Sequence, residues 1–224
     1  IGDSKDIEAS YRQDVAAMVC RLGLFLSPAV SIASTLVADH MATVVAYDKH
    51  RELMLVSYIS EPVLAFGAKK QWNDRKLCPL LKSIRTALFR GIVNEGALGE
   101  ISAMILLLKS MDVLEAGWGL GEVHEFIEKL AEVVKTFENN EIKEKEICDV
   151  ICDMIPTDSK LNFTHFIQWF GNFKQSDILF LLKRRAACIL PRNQYGADLL
   201  IPFFVRDRQE IKFGAILVQV KNCL

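Results

Sequence analysis

Two apolar segments joined by a short polar link close the chain, and they constrain its fold more than any other feature. The first runs from Leu199 to Val205, the second from Phe213 to Val220, and residues 206–209 between them are polar. Runs of this length, rich in Val, Ile and Phe, predict β-strands. Because both faces of each run are apolar, we expect a sheet that is covered on both sides. Pro202 has no amide hydrogen, so we expect its strand to be an edge strand or to be bulged there.

Three polar residues stand at the ends of these predicted strands. Asp198 comes directly before the first run, and Gln219 and Lys221 end the second. Residues two apart on a strand project from one face, about 7 Å apart, and a hairpin would bring Asp198 beside them. Carboxylate and amide oxygens suit a hard cation such as Mg²⁺, and a lysine can stabilise charge that develops on a phosphate. The pattern predicts a divalent-metal site beside a phosphodiester.

The charge of the chain is distributed unevenly. The 224 residues, 51% hydrophobic and 25% charged, are typical of a soluble globular protein with one large or two small domains. Residues 112–158 carry thirteen acids and four bases, whereas residues 160–224 carry ten bases and four acids, a net charge of +6. A basic segment around the predicted strands favours a polyanionic partner, although two solvated faces of opposite charge would explain the same pattern.

The first 135 residues are predicted to be mostly helical. Helical apolar spacing and two capping signals, Ser27-Pro28 and Ser60-Glu61-Pro62, support these predictions. Beyond Pro156, aromatic alternation predicts a strand, followed by a helix that Ser176-Asp177 would cap. The predicted helices are 6–22, 28–47, 62–72, 80–93, 96–111, 122–137 and 178–187, and the first two predicted strands are 161–167 and 187–190.

Together these elements predict an α+β chain with two domains. Residues 1–95 form the helical region, and residues 96–224 form a domain with a small mixed sheet flanked by helices. The segment 96–111 is apolar nearly all the way round, so we expect it to be buried. It contains Glu100 within Gly-Glu-x-x-Ala, where an unpaired carboxylate would be costly.

Other residues have a simple structural explanation beside a functional one. Lys183, Arg184, Arg185 and Arg192 suit a phosphate backbone, but cations are also favoured at the C-terminus of a helix. We expect the six cysteines to be mostly reduced core residues of an intracellular protein, and no segment is long and apolar enough to suggest a membrane partner. The aromatic residues expected in the core are Trp118, Trp169, Phe170 and Phe173.

The order of Gly-Glu-x-x-Ala, Asp and Gln-x-Lys resembles the PD-(D/E)XK nuclease family, and most closely its Mrr-like branch, in which glutamine commonly replaces the second acid. The resemblance implies a restriction-endonuclease-like core: a helix, a three-stranded meander, a helix and a final strand. It implies that Glu100, Asp198 and Gln219 bind Mg²⁺ or Mn²⁺ and that Lys221 is the catalytic lysine. Because the chain ends at Leu224, we expect this domain to be truncated on its C-terminal side.

A second resemblance concerns the upstream half. The segments Leu36–Met41, Lys49–Glu52 and Ser60–Ala65 resemble parts of large fungal and oomycete proteins, in which a P-loop ATPase module precedes a nuclease-like domain. Crinkler-type effectors and transposon-linked relatives are examples. The sequence has no Walker-type glycine loop, so an ATPase module would lie upstream of Ile1.

Three functions are consistent with these patterns. The leading hypothesis is an intracellular, metal-dependent nuclease that hydrolyses phosphodiester bonds of DNA, with the nucleus as one location. The alternative is a catalytically inactive nuclease-fold effector or interaction module that binds nucleic acid or a host protein. The third is a regulatory helical segment of an ATPase with structural strands only. Metal binding separates the first two hypotheses, and salt-sensitive DNA binding separates both from the third.

Overall fold

The computed structural model describes residues 4–25, 30–47, 49–50, 54–58, 62–74, 86, 98–114, 119–135, 154–191, 196–207 and 210–220. The chain divides into two compact units, residues 1–98 and residues 99–224, and each unit is described by itself. The predicted helix 80–93 lies outside the described residues except for Thr86, as does the charged segment 136–153.

The first unit packs helices around a small antiparallel hairpin. Met18 and Leu22 of α1, Leu36 of α2, Val56 of β2 and Ala65 of α3 are all buried. α1 contacts both other helices, and α2 contacts β2. The elements of this unit are α1 (Ser4–Leu22), α2 (Val30–His40), β1 (Thr43–Tyr47), β2 (Met54–Ser57) and α3 (Pro62–Asp74), which begins at the proline that the sequence predicts.

The predicted helix 28–47 is wrong in its second half. α2 ends at His40, and Met41 takes the left-handed conformation with φ 59°. The amide of Ala42 donates to the carbonyl of Leu36 at 3.1 Å, so the chain folds back over the last turn of the helix. The β-branched residues that follow prefer an extended backbone, and β1 pairs with β2. The strand is therefore one arm of a hairpin whose other arm, β2, begins at Met54.

The second unit has an α+β fold with a mixed sheet, as the sequence predicts. Ile101, Met104 and Leu108 of the first helix are buried, in agreement with the expected core position. The elements are α4 (Leu98–Leu114), β3 (Gly121–Glu122), α5 (Val123–Lys135), β4 (Ser159–Leu161), β5 (His165–Gln168), α6 (Gln175–Arg184), β6 (Ala186–Ile189), β7 (Leu199–Asp207) and β8 (Glu210–Val218).

β7 organises the six-stranded sheet. It pairs antiparallel with β8 along its whole length, from Leu199 opposite Val218 to Asp207 opposite Glu210. On its other side it pairs first with β6 and then with β4. β5 is parallel to β6, and β3 is antiparallel to β4. Pro202 lies on β7 between the stretches that pair with β6 and with β4, a position that suits a residue without an amide hydrogen.

The single strand predicted over 161–167 is two strands. β4 ends at Leu161, and β5 begins at His165 on the far side of β6. The side-chain amide of Asn162 donates to the carbonyl of Gly119, and the backbone amide of Thr164 donates to the carbonyl of Arg185 at 2.8 Å. These polar contacts hold the step between the strands, which alternation alone does not reveal.

Helices cover both faces of the central strands. On one face, Leu181 of α6 packs with Cys188 and Leu200. On the other, the rings of Phe126 of α5 and Phe166 of β5 each lie 5.7 Å from that of Phe163, in edge-to-face contacts. This agrees with the prediction for the first half of β7, which is buried.

β8 is not covered on both faces, contrary to the prediction from its sequence. Ile211 is 50% exposed and Leu217 is 61% exposed. β8 pairs with β7 only, among the described strands, so it lies at the border of the sheet. A strand at the border receives less cover from the flanking helices than a central strand does.

Candidate functional site

Asp198 joins the ends of three strands. Its backbone amide donates to the carbonyl of Val218 at 2.9 Å, and its carbonyl accepts from the amide of Leu190 at 2.8 Å. Its carboxylate oxygen Oδ2 accepts from the amide of Val220 at 2.6 Å. A hydrogen bond to a charged acceptor is short and directional, so it fixes the orientation of this half-buried carboxylate.

Gln219 lies at the same end of the hairpin as Asp198. It directly follows Val218, the partner of Leu199, and its side chain is exposed. Asp198 and Gln219 therefore occupy neighbouring backbone positions at one end of the hairpin. Lys221 and Arg192 lie outside the described residues.

Glu100 lies in a different setting. It occupies the first turn of α4 and is half-buried. The hydrogen bonds and ion pairs of the described residues do not connect it to Asp198 or Gln219. Within the same described ranges, no three His, Cys, Asp or Glu side chains form a group that could hold a metal ion.

The predicted basic cluster lies at the other end of β6. Lys183 and Arg184 end α6, and Arg185 follows in the left-handed conformation, just before β6 begins. Asp198 meets the opposite end of that strand at Leu190, five residues or about 16 Å further along. Cations in the last turn of a helix also complement its dipole, so the structural explanation accounts for Lys183 and Arg184 equally well.

The N-terminus of α6 reaches the edge near Asp198, which the sequence did not predict. The amide of Trp169, just after β5, donates to the carbonyl of Ile189 at 3.0 Å, so β5 and β6 end side by side. Asp177, in the first turn of α6, accepts from the amide of Lys174 at 2.7 Å. The spacing strand–helix–strand over 165–189 is the signal for such a parallel pair, and ligands commonly bind at the carboxyl ends of parallel strands.

Four aromatic residues near this edge form what we call the aromatic strip: Trp169, Phe170, Phe173 and Phe180. Trp169 and Phe173 are half-buried, whereas Phe180 is 43% exposed and Phe170 is 76% exposed. The prediction that Phe170 belongs to the core is therefore wrong, and Trp118 lies outside the described residues. The sequence could not separate these aromatics, because exposure depends on where the chain turns after β5.

Two buried thiols are poorly suited to bind metal. Burial raises the pKa of Cys188 to about 12, and the negative charge of Asp177 adds to the shift. Burial likewise raises the pKa of Cys20 to about 12, against the opposing effect of Arg21. Since the thiolate is the metal ligand and the nucleophile, both residues act as core side chains, in agreement with the sequence analysis.

Comparison with known families assigns nearly the whole chain to one family. A family model described as "Domain of unknown function (DUF8736)" matches residues 6–224. The chain belongs to this family. No curated protein and no solved structure matches it. The family match extends over both units, so the edge at Asp198 lies inside the family's domain.

The described helices of this family member include none that is both long enough and apolar enough to cross a membrane.

Proposed function

We propose that the second unit is a metal-dependent nuclease-type domain that hydrolyses phosphodiester bonds of nucleic acid, with DNA as the expected substrate. The observation that carries the proposal is the position of Asp198 and Gln219 at one end of the β7–β8 hairpin. An acid and an amide oxygen at a strand end, followed two residues later by Lys221, supply the residue types that this chemistry requires.

The donor set fits magnesium better than a softer metal. One carboxylate and one amide provide hard oxygen ligands, and Mg²⁺ is commonly bound through one or two carboxylates together with water and substrate phosphates. Because Val220 holds Oδ2 of Asp198, Oδ1 is the oxygen that would bind the cation. The raised pKa values of Cys20 and Cys188 argue against a thiolate ligand from either of these two residues.

The residues have distinct roles in this proposal. Asp198 and Gln219 would hold the cation, which would supply positive charge at the phosphate and activate a water. Lys221 stabilises the attacking water or the charge that develops on the phosphate. Glu100, in the first turn of α4, is the helix-borne acid of this proposal.

The test is metal-dependent cleavage of labelled DNA by single variants. We expect Asp198→Asn to reduce cleavage about 100-fold or more, because the amide still accepts from Val220 but carries no charge for the metal. Lys221→Ala should have an effect of similar size. Asp207→Asn is the matched control, because Asp207 lies at the other end of β7 and pairs with Lys212 at 2.7 Å.

Undiminished cleavage by both Asp198→Asn and Lys221→Ala would refute the proposed active site. Equal loss in the Asp207→Asn control would show that the effect comes from the hairpin as a whole and not from the metal site.

One observation favours a second function, a nuclease-fold module that binds nucleic acid without cleaving it. The carboxylate of Asp198 already accepts a backbone hydrogen bond, and in the described part of the chain it belongs to no group of three His, Cys, Asp or Glu side chains that could hold a metal ion. Calorimetric titration with Mg²⁺ and with Mn²⁺ separates the two functions. Salt-sensitive binding of DNA without metal binding at millimolar concentration would support the inactive module.

A further inference from the structure

We infer that the aromatic strip, together with the basic end of α6, binds single-stranded nucleic acid by stacking its bases. Single-stranded nucleic acid is thus the expected form of the substrate. This rests on the proposed function only for the position of the cleaved phosphate. Its binding test requires no cleavage, so the two can fail separately.

Three rings of the strip contact each other, and two of them, Trp169 and Phe173, also pack against the core around Leu181. The centroid of the Trp169 ring lies 5.3 Å from that of Phe173 and 6.2 Å from that of Phe180. Phe170, which directly follows Trp169, is the most exposed ring, and Gly171 beside it has φ 103°, a value that a side chain would resist. Aromatic surface of this kind is expensive to leave in water unless it has a partner.

Cations extend the strip at its far end. The guanidinium carbon of Arg184 lies 5.9 Å from the centroid of the Phe180 ring, one helical turn away. Lys183 is exposed beside it, and Lys174 is exposed at the start of the helix. Asp177 is the acid of α6, and its carboxylate accepts from a backbone amide. This combination of rings and positive charge complements bases joined by phosphates.

The strip begins close to the candidate metal site. The hydrogen bonds from Trp169 to Ile189 and from Leu190 to Asp198 place these three segments side by side. Two strand spacings, about 10 Å, therefore separate the backbone of Trp169 from that of Asp198. A strand of a few nucleotides could rest its bases on the strip while one of its phosphates lies at Asp198.

Stacking on protein rings favours single strands over duplexes. The bases of a duplex are already stacked on each other, whereas those of a single strand can turn their faces toward an aromatic side chain. Every base has such a face, so we expect little dependence on sequence and similar binding of single-stranded DNA and RNA.

Fluorescence anisotropy with a labelled 16-nucleotide oligo(dT), the same length of oligo(U) and a duplex tests the inference. We expect the intact protein to bind both single strands more tightly than the duplex. Phe170→Ala should weaken single-strand binding about 5- to 150-fold, since loss of one stacking ring costs about that factor. Lys183→Gln should reduce the slope of log affinity against log salt concentration by about 0.7.

Three further variants separate stacking from general apolar contact. Phe170→Trp should keep or increase the affinity, whereas Phe170→Leu, which retains apolar surface but has no ring, should lose nearly as much as Phe170→Ala. Leu120→Ala is the matched control, because Leu120 is a 54% exposed apolar side chain of the same unit outside the strip. It should bind like the original protein.

Tighter binding of the duplex than of the single strands would overturn the inference. Full single-strand affinity in Phe170→Leu would also overturn it, and would favour an apolar surface that binds a protein. Asp198→Asn distinguishes this failure from failure of the proposed function. If Asp198→Asn binds oligo(dT) normally and Phe170→Ala does not, the binding surface stands whether or not the intact protein cleaves DNA.

Discussion

At the scale of single residues, Asp198 has a structural role that any functional test must take into account. Its Oδ2 fixes the amide of Val220, just beyond the end of β8. Without this acceptor, Val220 loses its hydrogen bond to the start of β7, and the backbone hydrogen bond from Asp198 to Val218 is left to hold this end of the hairpin. A change to alanine therefore removes both a proposed metal ligand and a structural hydrogen bond.

We predict that Asp198→Ala lowers the free energy of unfolding by about 1.5–3 kcal/mol, the usual contribution of a hydrogen bond to a charged group. Asp198→Asn should lose less, because its amide oxygen still accepts from Val220. Urea denaturation followed by tryptophan fluorescence measures both values. The control Asp207→Ala breaks an exposed ion pair and should change stability by no more than about 1 kcal/mol. A fully stable Asp198→Ala variant would contradict this role.

The Cys188 thiol should be protonated and unreactive in the folded protein. Its pKa is raised to about 12, chiefly by burial. The unfolded thiol loses its proton near pH 8.5, so between about pH 9 and pH 12 only the folded state retains the proton. The stability that this group contributes is therefore complete below pH 8.5 and falls as the pH rises through that window.

Between pH 8 and pH 10, the free energy of unfolding should therefore fall less steeply in Cys188→Ala than in the original protein. The two slopes should differ by up to about 1.4 kcal/mol per pH unit. Urea denaturation at both pH values measures the difference. In the folded protein at pH 8, the Cys188 thiol should react with a thiol reagent only as fast as the protein unfolds. Rapid modification under native conditions would contradict its burial.

At the scale of elements, the β7–β8 hairpin depends on a close contact between a ring and a glycine. Gly214 pairs with Phe203, and a Cβ added at Gly214 would lie 2.8 Å from Cε1 of that ring and closer still to Cζ. The ring covers the glycine, so a side chain there would displace it. This contact explains why a glycine interrupts an otherwise apolar strand.

We predict that Gly214→Ala lowers the free energy of unfolding by about 1–3 kcal/mol, the usual cost of overpacking. Adding Phe203→Ala should make the effect of Gly214→Ala much smaller, because the clash is then absent. Gly67→Ala is a control of opposite sign: Gly67 is exposed within α3 with no atom near its missing Cβ, so alanine should stabilise by about 1 kcal/mol. Additive losses in the double variant would contradict this explanation.

Elements with a clear local signal were predictable, and those decided by which strand they pair with were not. Apolar spacing and the proline at position 62 predicted α1 and α3, and short apolar runs predicted β6, β7 and β8. The second predicted helix extends over β1, because a short apolar segment fits either element and its pairing with β2 decides between them. The split between β4 and β5 was missed for the same reason.

At the scale of the whole molecule, the second unit contains a complete core of its own. All strands of the six-stranded sheet come from residues 99–224, and helices of the same unit cover both faces of its centre. The clusters around Leu181 and around Phe163 are also formed within it. A unit of this size can bury enough apolar surface to be stable alone.

We therefore predict that a fragment of residues 98–224, which keeps α4 whole, folds when it is produced alone. Circular dichroism should show mixed helix and sheet, and urea should unfold the fragment in one cooperative transition. Phe163→Ala in the same fragment should lower its free energy of unfolding by about 3–5 kcal/mol, since this buried ring touches both α5 and β5. A fragment without a cooperative transition would show that this core is insufficient.

The sequence by itself determined the fold class and the chemical types at the candidate site. Apolar periodicity specifies helices and strands locally, and the acid, amide and lysine around the closing strands are visible without any structure. Only the tertiary structure decided that the basic end of α6 lies away from Asp198, that Phe170 is exposed, and that β5 and β6 end side by side. Those facts depend on strand order and on hydrogen bonds between residues far apart in the chain, which no local pattern encodes.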